Sequence, residues 1–311
     1  MQSVRIHKYD PVDELRYEQT SIPTINADEI LIRVHAAGVN PVDWKIREGY
    51  FKDAMPHALP LILGWDSAGE VALVGDSVHD LQAGDVVYAY TSLARPGAYA
   101  EYVVAKADEV ALQPKNISPQ LAAAVPLAAL TAWQALFDVA KLKKGDTVLI
   151  HAGAGGVGHF AIQLAKWKGA TVIATASSQN QSFLAELGAD QCIDYNTSHW
   201  EKNISHVDIV IDSVGGDTQE RSWPLIKPNG ILISIVSPAL LEEHAKQYGV
   251  RSQFFIVAPN GQQLGEITKL IDQDLLKPFV SASFPLSAAK KAHELSQQGH
   301  VRGKIVLLIN G

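Results

Sequence analysis

The chain has 311 residues, of which 47% are hydrophobic and 19% charged, a composition typical of a soluble globular protein with room for two domains. Its formal net charge of −7 and the lack of a long basic run argue against a general nucleic-acid surface. The single cysteine, Cys192, excludes an intramolecular disulfide framework and a multi-cysteine zinc site.

The first ten residues lack the apolar core of a signal peptide, and no stretch of the chain is long and apolar enough to span a membrane. We therefore expect a cytoplasmic protein with neither a membrane nor a nucleic acid as its partner.

Residues 1 to about 120 show the pattern of a β-rich unit. Turn residues such as Gly38, Asn40-Pro41 and Pro96-Gly97 separate short apolar runs. This spacing favours a barrel-like unit over repeated βαβ elements. Strands are predicted near residues 3–9, 29–37, 69–74, 85–90 and 98–104.

A helical region follows. Ser118 is the predicted N-cap of a short helix with Pro119 in its first turn, and residues 127–137 form a second helix rich in small side chains.

A glycine-rich turn then dominates the middle of the chain. Residues 147–150 are a predicted buried strand that runs into Gly153, Gly155 and Gly158, in G-x-G-x-x-G spacing, and then into an apolar helical segment. Strand, turn and helix stand in the order of a dinucleotide-binding unit. Such a unit places the pyrophosphate at the helix N-terminus. We assign Gly156 and Val157 to the same turn.

Strands and helices alternate from there to residue 236, which predicts a parallel sheet with its ligand crevice beyond the strand C-termini. The predicted strands are 147–151, 171–175, 191–194, 207–212 and 230–236, and the predicted helices are 156–168, 180–187 and 217–226.

The last part of the chain has predicted helices at 262–274 and 287–297, a strand starting at Val280, and a final apolar strand at 304–309. The final strand cannot extend the parallel sheet without another helical crossover, so we expect it to rejoin the N-terminal unit. The cleft between the two domains is the expected active site.

The second strand of the parallel sheet ends without the acidic residue that holds the ribose hydroxyls of NAD. Ser177 and Ser178 stand there instead and can donate hydrogen bonds to a 2′-phosphate. NADPH is therefore the predicted cofactor, although the serines also fit a simple helix cap.

The sequence resembles the medium-chain dehydrogenase/reductase superfamily, in its zinc-free quinone oxidoreductase branch. This branch includes zeta-crystallin-like proteins and alkenal or enone reductases. The resemblance covers nearly the whole chain. The matching stretches are 37–43, 64–70, 97–102, 127–133, 152–158, 187–190, 193–195, 207–215 and 299–306.

The resemblance implies an α/β fold in which a doubly wound Rossmann domain accompanies a GroES-like β-barrel domain, commonly in a homodimer. The GroES-like domain is expected at 1–122, completed by 260–311, and the Rossmann domain at 123–259. Zinc-containing relatives have metal-binding Cys and His residues where Asn40 and Trp65 stand here. We therefore expect no metal.

A site without a metal suits an acceptor that is already electron-poor, such as a quinone or an α,β-unsaturated carbonyl compound. Hydride then adds to carbon, and negative charge develops on oxygen. We expect the Asn40 amide to position the nicotinamide or to donate a hydrogen bond to that oxygen. The alternative is that Asn40-Pro41 is only a turn.

The resemblance also implies further cofactor contacts, from Thr131, Ser178, Tyr195, Val214, Gly303 and Lys304. Each of these has a structural alternative, such as a solvated strand end for Lys304. Aromatic residues are expected to wall the acceptor pocket, although such residues are more often core; they are Trp44, Phe51, Trp65, Phe254 and Phe255. Asp43 and Lys45 could pair with each other, but we expect them to lie solvated at the pocket mouth.

Two other functions remain open. The chain could be a non-catalytic NADPH-binding or RNA-binding protein of the crystallin type, or a 2-enoyl thioester reductase.

Overall fold

A computed structural model describes residues 1–9 and 11–309 of the chain. Asp10, and residues 310 and 311 at the end of the predicted 260–311 segment, lie outside the described residues. The chain divides into two compact units, one formed by Met1–Leu130 with Ala258–Gly311 and the other by Thr131–Val257.

In its described residues, the N-terminal part of unit 1 contains eight strands and two α-helices before the chain enters α3. The strands are β1 (Gln2–Ile6), β2 (Arg16–Gln19), β3 (Glu29–Val39), β4 (Leu61–Ile62), β5 (Asp66–Val74), β6 (Val86–Tyr90), β7 (Tyr102–Lys106) and β8 (Val110–Leu112). The helices are α1 (Pro41–Arg47), α2 (Pro119–Ala122) and α3 (Pro126–Trp133), and the boundary between the units falls within α3.

Unit 2 alternates strands and helices. The strands are β9 (Thr147–Ile150), β10 (Thr171–Ala176), β11 (Gln191–Asp194), β12 (Val207–Asp212), β13 (Ile226–Ser234) and β14 (Arg251–Phe254). The helices are α4 (Gly158–Trp167), α5 (Gln181–Glu186), α6 (Gly216–Ser222) and α7 (Leu241–Tyr248), and a π-helical turn at Gln134–Val139 follows α3.

The chain then returns to unit 1 through α8 (Gly261–Asp272), β15 (Val280–Pro285), α9 (Ala289–Gln298) and β16 (Lys304–Leu308). β16 pairs antiparallel with β3, so the prediction that the final strand rejoins the N-terminal unit is confirmed.

The sheet of unit 2 is parallel throughout, in the order β11-β10-β9-β12-β13-β14. The strand order therefore reverses between β9 and β12, which is where doubly wound sheets bind ligands. One face of the sheet packs on a core that includes Trp200 and Trp223, both almost fully buried. The predicted α/β fold class is confirmed.

Unit 1 has a seven-stranded sheet in the order β15-β16-β3-β5-β6-β8, with β7 also paired to β3, and a three-stranded sheet β2-β1-β4. The sequence pattern predicts a turn at Asn40-Pro41 and misses α1. Asn40 is in fact the N-cap, and Pro41 starts the helix, where a missing N–H costs nothing.

The sequence pattern also missed β2, β4, β8, α7 and β14, which are short or largely polar. Within the described residues, none of the helices has the length and apolarity that crossing a bilayer requires.

Candidate functional site

The glycine turn of unit 2 lies at the C-terminal end of β9 and leads into α4. A Cβ on Gly158 would lie 2.3 Å from the Ala152 carbonyl oxygen and 2.7 Å from the Gly153 Cα, so only glycine fits this crossing. Within residues 1–9 and 11–309, the backbone N–H groups of Gly156, Val157 and Gly158 have no protein acceptor. Three unpaired N–H groups at a helix N-terminus form an anion site that fits a pyrophosphate.

Four predicted cofactor residues lie at the same edge of this sheet as the glycine turn. Ser177 and Ser178 follow β10, Tyr195 follows β11, and Val214 follows β12. The parallel registers align the three strand ends, with Ala176 opposite Asp194 and Ile211 opposite Ile150. The side chain of Ser178 is exposed, and Tyr195 is 37% exposed.

Asp212, at the end of β12, shapes the loop that carries Val214, and sequence reasoning missed it. One of its carboxylate oxygens accepts the backbone N–H groups of Val214 (3.0 Å) and Gly215 (2.8 Å). The other accepts the Gln219 amide at 2.6 Å. An acidic residue at a strand end, three residues before a glycine, was the available signal.

Asn40 follows β3 in unit 1, and its side chain is held by two charged groups. The Asn40 Nδ2 donates to Asp66 at 2.8 Å, and the Lys304 ammonium donates to the Asn40 Oδ1. An ammonium can only donate and a carboxylate can only accept, so these partners fix which end of the amide carries oxygen. No acceptor for the second Nδ2 hydrogen is found among the described residues.

Burial defines the electrostatics of this cluster. Asn40, Asp66 and Lys304 are at most 3% exposed. Burial raises the pKa of Asp66, while the nearby Lys304 charge and the Asn40 hydrogen bond act in the opposite direction. A hydrogen bond from the Leu127 backbone N–H (2.7 Å) also favours the carboxylate. The expectation that Lys304 could be a solvated strand end is wrong.

A second set of hydrogen-bonded side chains, which we call the buried string, leads from Arg47 and His293 through Tyr99 to Asp43, beside Asn40. The Asp43 carboxylate accepts the Asn40 backbone N–H at 2.8 Å and the Tyr99 hydroxyl at 2.7 Å. His293 bonds Tyr99 at 3.3 Å through Nε2 and Arg47 at 3.0 Å through Nδ1. Arg47 can only donate, so His293 accepts at Nδ1 and carries its hydrogen on Nε2.

Burial also controls the pKa values in this string. It raises the pKa of Asp43 to about 7, and the nearby Asp66 charge adds to the rise. Burial, followed by the Arg47 charge, lowers the pKa of His293 to about 3. Asp43 has no exposed surface, so the expectation that it lies solvated at a pocket mouth is wrong. Lys45 lies over the Trp44 ring instead, at 5.8 Å.

The remaining predicted residues fall into different surroundings. Thr131 is 4% exposed in α3, and Gly303 has positive φ, with a hypothetical Cβ placed only 2.3 Å from the Phe279 carbonyl oxygen. Trp65 is fully buried and donates its indole N–H to the Arg95 carbonyl at 2.9 Å, so it belongs to the core of unit 1.

The other predicted pocket aromatics keep some exposed surface. Trp44 and Phe51 are partly exposed in unit 1, and Phe254 and Phe255 are partly exposed in unit 2. Phe254 packs against the core of its sheet.

Comparisons with known proteins agree with this geometry. The family described as "Zinc-binding dehydrogenase" matches residues 187–307, and the "Alcohol dehydrogenase GroES-like domain" matches residues 26–115. A solved quinone oxidoreductase from Coxiella burnetii is 41% identical, with a TM-score of 0.93 over 100% of this chain and 99% of that one. The Escherichia coli quinone oxidoreductase complexed with NADPH is 30% identical, with a TM-score of 0.90 over 99% and 100%.

Among curated proteins, a chloroplastic NADPH-dependent alkenal/one oxidoreductase of Arabidopsis thaliana is 36% identical over 96% of this chain and 77% of its own length. The chain belongs to the medium-chain dehydrogenase/reductase superfamily. Its two units are the GroES-like and Rossmann domains of that superfamily.

Some members of the superfamily bind zinc, as the matched family description says, but the residues of this chain do not fit such a site. The Lys304 ammonium already bonds the oxygens of Asn40 and Asp66 that a metal would need. Trp65 supplies an indole N–H, which is a donor and not a ligand. Among the described residues, no group of three or more His, Cys, Asp or Glu side chains is placed to hold a metal ion.

Proposed function

We propose that this medium-chain dehydrogenase/reductase reduces quinones or α,β-unsaturated carbonyl compounds with NADPH, without a metal. The observation that carries the proposal is the Lys304–Asn40–Asp66 cluster, which presents an oriented amide where zinc-dependent relatives need metal ligands. The names of the quinone oxidoreductases and of the alkenal/one oxidoreductase support the acceptor class.

The Rossmann domain supplies the cofactor site in the proposal. The unpaired N–H groups of Gly156, Val157 and Gly158 bind the pyrophosphate, and Ser177, Ser178 and Tyr195 contact the adenosine phosphate end. Thr131 and Val214 are proposed contacts further along the cofactor. From the GroES-like domain, Gly303 and Lys304 complete the cofactor contacts. NADPH, when bound, supplies a hydride to an electron-poor carbon.

Asn40 is the residue we propose at the acceptor. Lys304 donates to the amide oxygen, which withdraws electron density from the amide and strengthens its remaining N–H as a donor. That N–H stabilises the negative charge that develops on the acceptor oxygen. Trp44 and Phe51 are the aromatic residues we retain for the acceptor pocket, and water is the simplest proton source.

Asn40→Ala tests this role. We expect turnover of 1,4-benzoquinone and of a short alkenal to fall about 100- to 1000-fold, as for the loss of one oriented donor, with a much smaller change in the Kd for NADPH. Initial rates and fluorescence titration with NADPH measure the two quantities. Unchanged turnover would remove Asn40 from the mechanism.

An initial-rate comparison of 1,4-benzoquinone, an alkenal and a crotonyl thioester, each with NADPH and NADH, tests the acceptor class. The proposal predicts that NADPH is preferred and that the thioester is the poorest acceptor. Binding of NADPH without turnover of any acceptor would favour a non-catalytic protein.

We also propose that the protein is a homodimer located in the cytoplasm. The free Cys192 is compatible with a reducing compartment. Light scattering on the purified chain tests the dimer, and cell fractionation tests the location.

A further inference from the structure

Three aromatic rings form an exposed cluster on unit 2, away from the strand ends that carry the predicted cofactor residues. Trp133 and Trp167 stack at 6.2 Å between centroids with an interplanar angle of 28°. Phe137 meets both rings edge-on, at 4.8 Å and 6.0 Å. Trp167, at the end of α4, is 45% exposed. Trp133 and Phe137 are partly exposed, so the three rings form one contiguous apolar patch, and contiguous apolar patches mark interaction sites.

Lysines surround these rings. Lys141 and Lys168 line the same cleft as the three aromatic residues. Lys143 and Lys144 lie in the adjoining loop, where the Gly145 backbone N–H bonds the Gly169 carbonyl at 3.0 Å and so holds the loop against the end of α4. We call the three rings and these four lysines the Trp–Lys surface.

The charge of this surface is opposite to that of the chain. All four lysines are exposed, and within residues 1–9 and 11–309 none of their ammonium groups has a carboxylate partner. The neighbouring Lys166, by contrast, pairs with Asp190 at 2.8 Å. Asp138 and Asp146 are the acidic residues in the same segments, so lysines outnumber them although the whole chain carries −7.

The chemistry of the Trp–Lys surface identifies its partner. Tryptophan prefers the headgroup level of a bilayer, where one side of the ring is apolar and the other is wet. Lysines beside it are attracted to anionic headgroups. Among the described residues that line the cleft, the charged groups are the two ammonium groups of Lys141 and Lys168, and no carboxylate is among them. This lining suits a fluid anionic surface. The rings already contact one another, so no gap between them admits a nucleic-acid base.

We propose that the Trp–Lys surface docks the protein on anionic lipid bilayers, with the Trp167 ring entering the headgroup region and Lys141, Lys143, Lys144 and Lys168 contacting lipid phosphates and carboxylates. The sequence predicted no membrane partner because it has no spanning segment, but a peripheral surface does not need one. This docking is independent of the proposed reductase activity.

Vesicle flotation of the full chain, without NADPH or acceptor, tests the docking. Vesicles of phosphatidylcholine with phosphatidylserine should bind the protein, whereas vesicles of phosphatidylcholine alone should bind it far more weakly. Raising the salt concentration should reverse the binding. The double variant Lys141→Gln/Lys168→Gln should bind about 30-fold more weakly, as expected for two lysines at such a surface. Trp167→Ala should also weaken binding, and lipids with brominated chains should quench wild-type tryptophan fluorescence.

The matched control lies elsewhere on unit 2. Lys246 is exposed, and Tyr248 is 39% exposed and stacks on Trp223 as Trp167 stacks on Trp133. Lys246→Gln/Tyr248→Ala should leave vesicle binding unchanged. Circular dichroism and NADPH binding show that each variant is folded.

Three outcomes would overturn the proposal. One is equal binding to both vesicle types, another is loss of binding in the control variant as large as in the lysine variant, and the third is no vesicle binding alongside binding of an acidic peptide or an RNA oligonucleotide. None of these outcomes bears on turnover, so the reductase activity is tested separately.

Discussion

The glycine turn of unit 2 and the polar cluster of unit 1 hold their ligand-facing groups in opposite ways. The turn offers backbone N–H groups without protein acceptors, formed by neighbouring residues in the chain. The cluster offers side chains whose hydrogen bonds are almost all made, brought together from the start of α1, from β5 and from β16. A backbone site needs only a local conformation, whereas a side-chain site needs tertiary structure and buried charge.

The largest effect on NADPH binding is expected from a side chain placed in the glycine turn. Gly158→Val places a branched side chain where even a Cβ lies 2.3 Å from backbone, so the turn must shift and its N–H groups lose their alignment. We expect NADPH binding to weaken by more than about 100-fold, the equivalent of about 3 kcal/mol. Isothermal titration calorimetry measures the change.

Gly265→Ala is the control for that substitution, because a Cβ on this α8 glycine meets no atom within 4 Å. We expect its NADPH affinity to equal that of the wild type. Tight NADPH binding by Gly158→Val would show that the turn is not the pyrophosphate site.

Lys304→Met should destabilise unit 1, because it leaves the Asp66 carboxylate buried without its cation. Breaking such a buried pair typically costs about 3–5 kcal/mol. Urea unfolding measures the loss of free energy of unfolding. The double variant Lys304→Met/Asp66→Asn removes both charges and should recover most of it. If the double variant is as unstable as the single one, the charge pair is not the cause.

His293 gives the buried string a pH dependence. Its pKa is lowered to about 3 in the folded state, so this residue stabilises the fold above its unfolded pKa of about 6.5. That stability is lost as the pH falls from about 6.5 to about 3. Burial lowers the pKa of His151 to about 4, so the contribution of this residue to stability is likewise lost as the pH falls. The pKa of Asp43 is raised to about 7, so its effect on stability is opposite. Its contribution to stability is lost as the pH rises from about 4 to 7.

His293→Gln isolates this contribution. The free energy of unfolding of the variant, measured by urea unfolding between pH 4 and 7, should rise less steeply with pH than that of the wild type. Equal slopes would mean that His293 takes up a proton in the folded state.

The smallest effect is expected at the exposed end of the Rossmann site. Ser178→Ala removes one hydroxyl donor to the 2′-phosphate, which is worth about 1 kcal/mol, or about fivefold in the Kd for NADPH. The Kd for NADH should not change, since that cofactor lacks the phosphate. Equal weakening of both cofactors would place Ser178 elsewhere on the dinucleotide.

The sequence predicts most of the Rossmann domain, because local periodicity and the glycine spacing decide it. Strands β9 to β12 lie within one or two residues of their predicted bounds. The polar cluster was predicted only in part. Asn40 and Lys304 were candidates, but their contact joins residues 264 positions apart in the chain. Nothing in local composition shows that Tyr99 links His293 to Asp43, or that Trp65 is core rather than pocket.

The fixed tautomer of His293 determines how Asp43 can exchange protons with solvent. Every hydrogen in the string points inward, from Arg47 to His293, from His293 to Tyr99, and from Tyr99 to Asp43. A guanidinium has no lone pair that could receive a proton. Asp43 therefore cannot exchange protons with solvent by way of Arg47, and any exchange must start at its other carboxylate oxygen, which has no hydrogen-bond partner among the described residues.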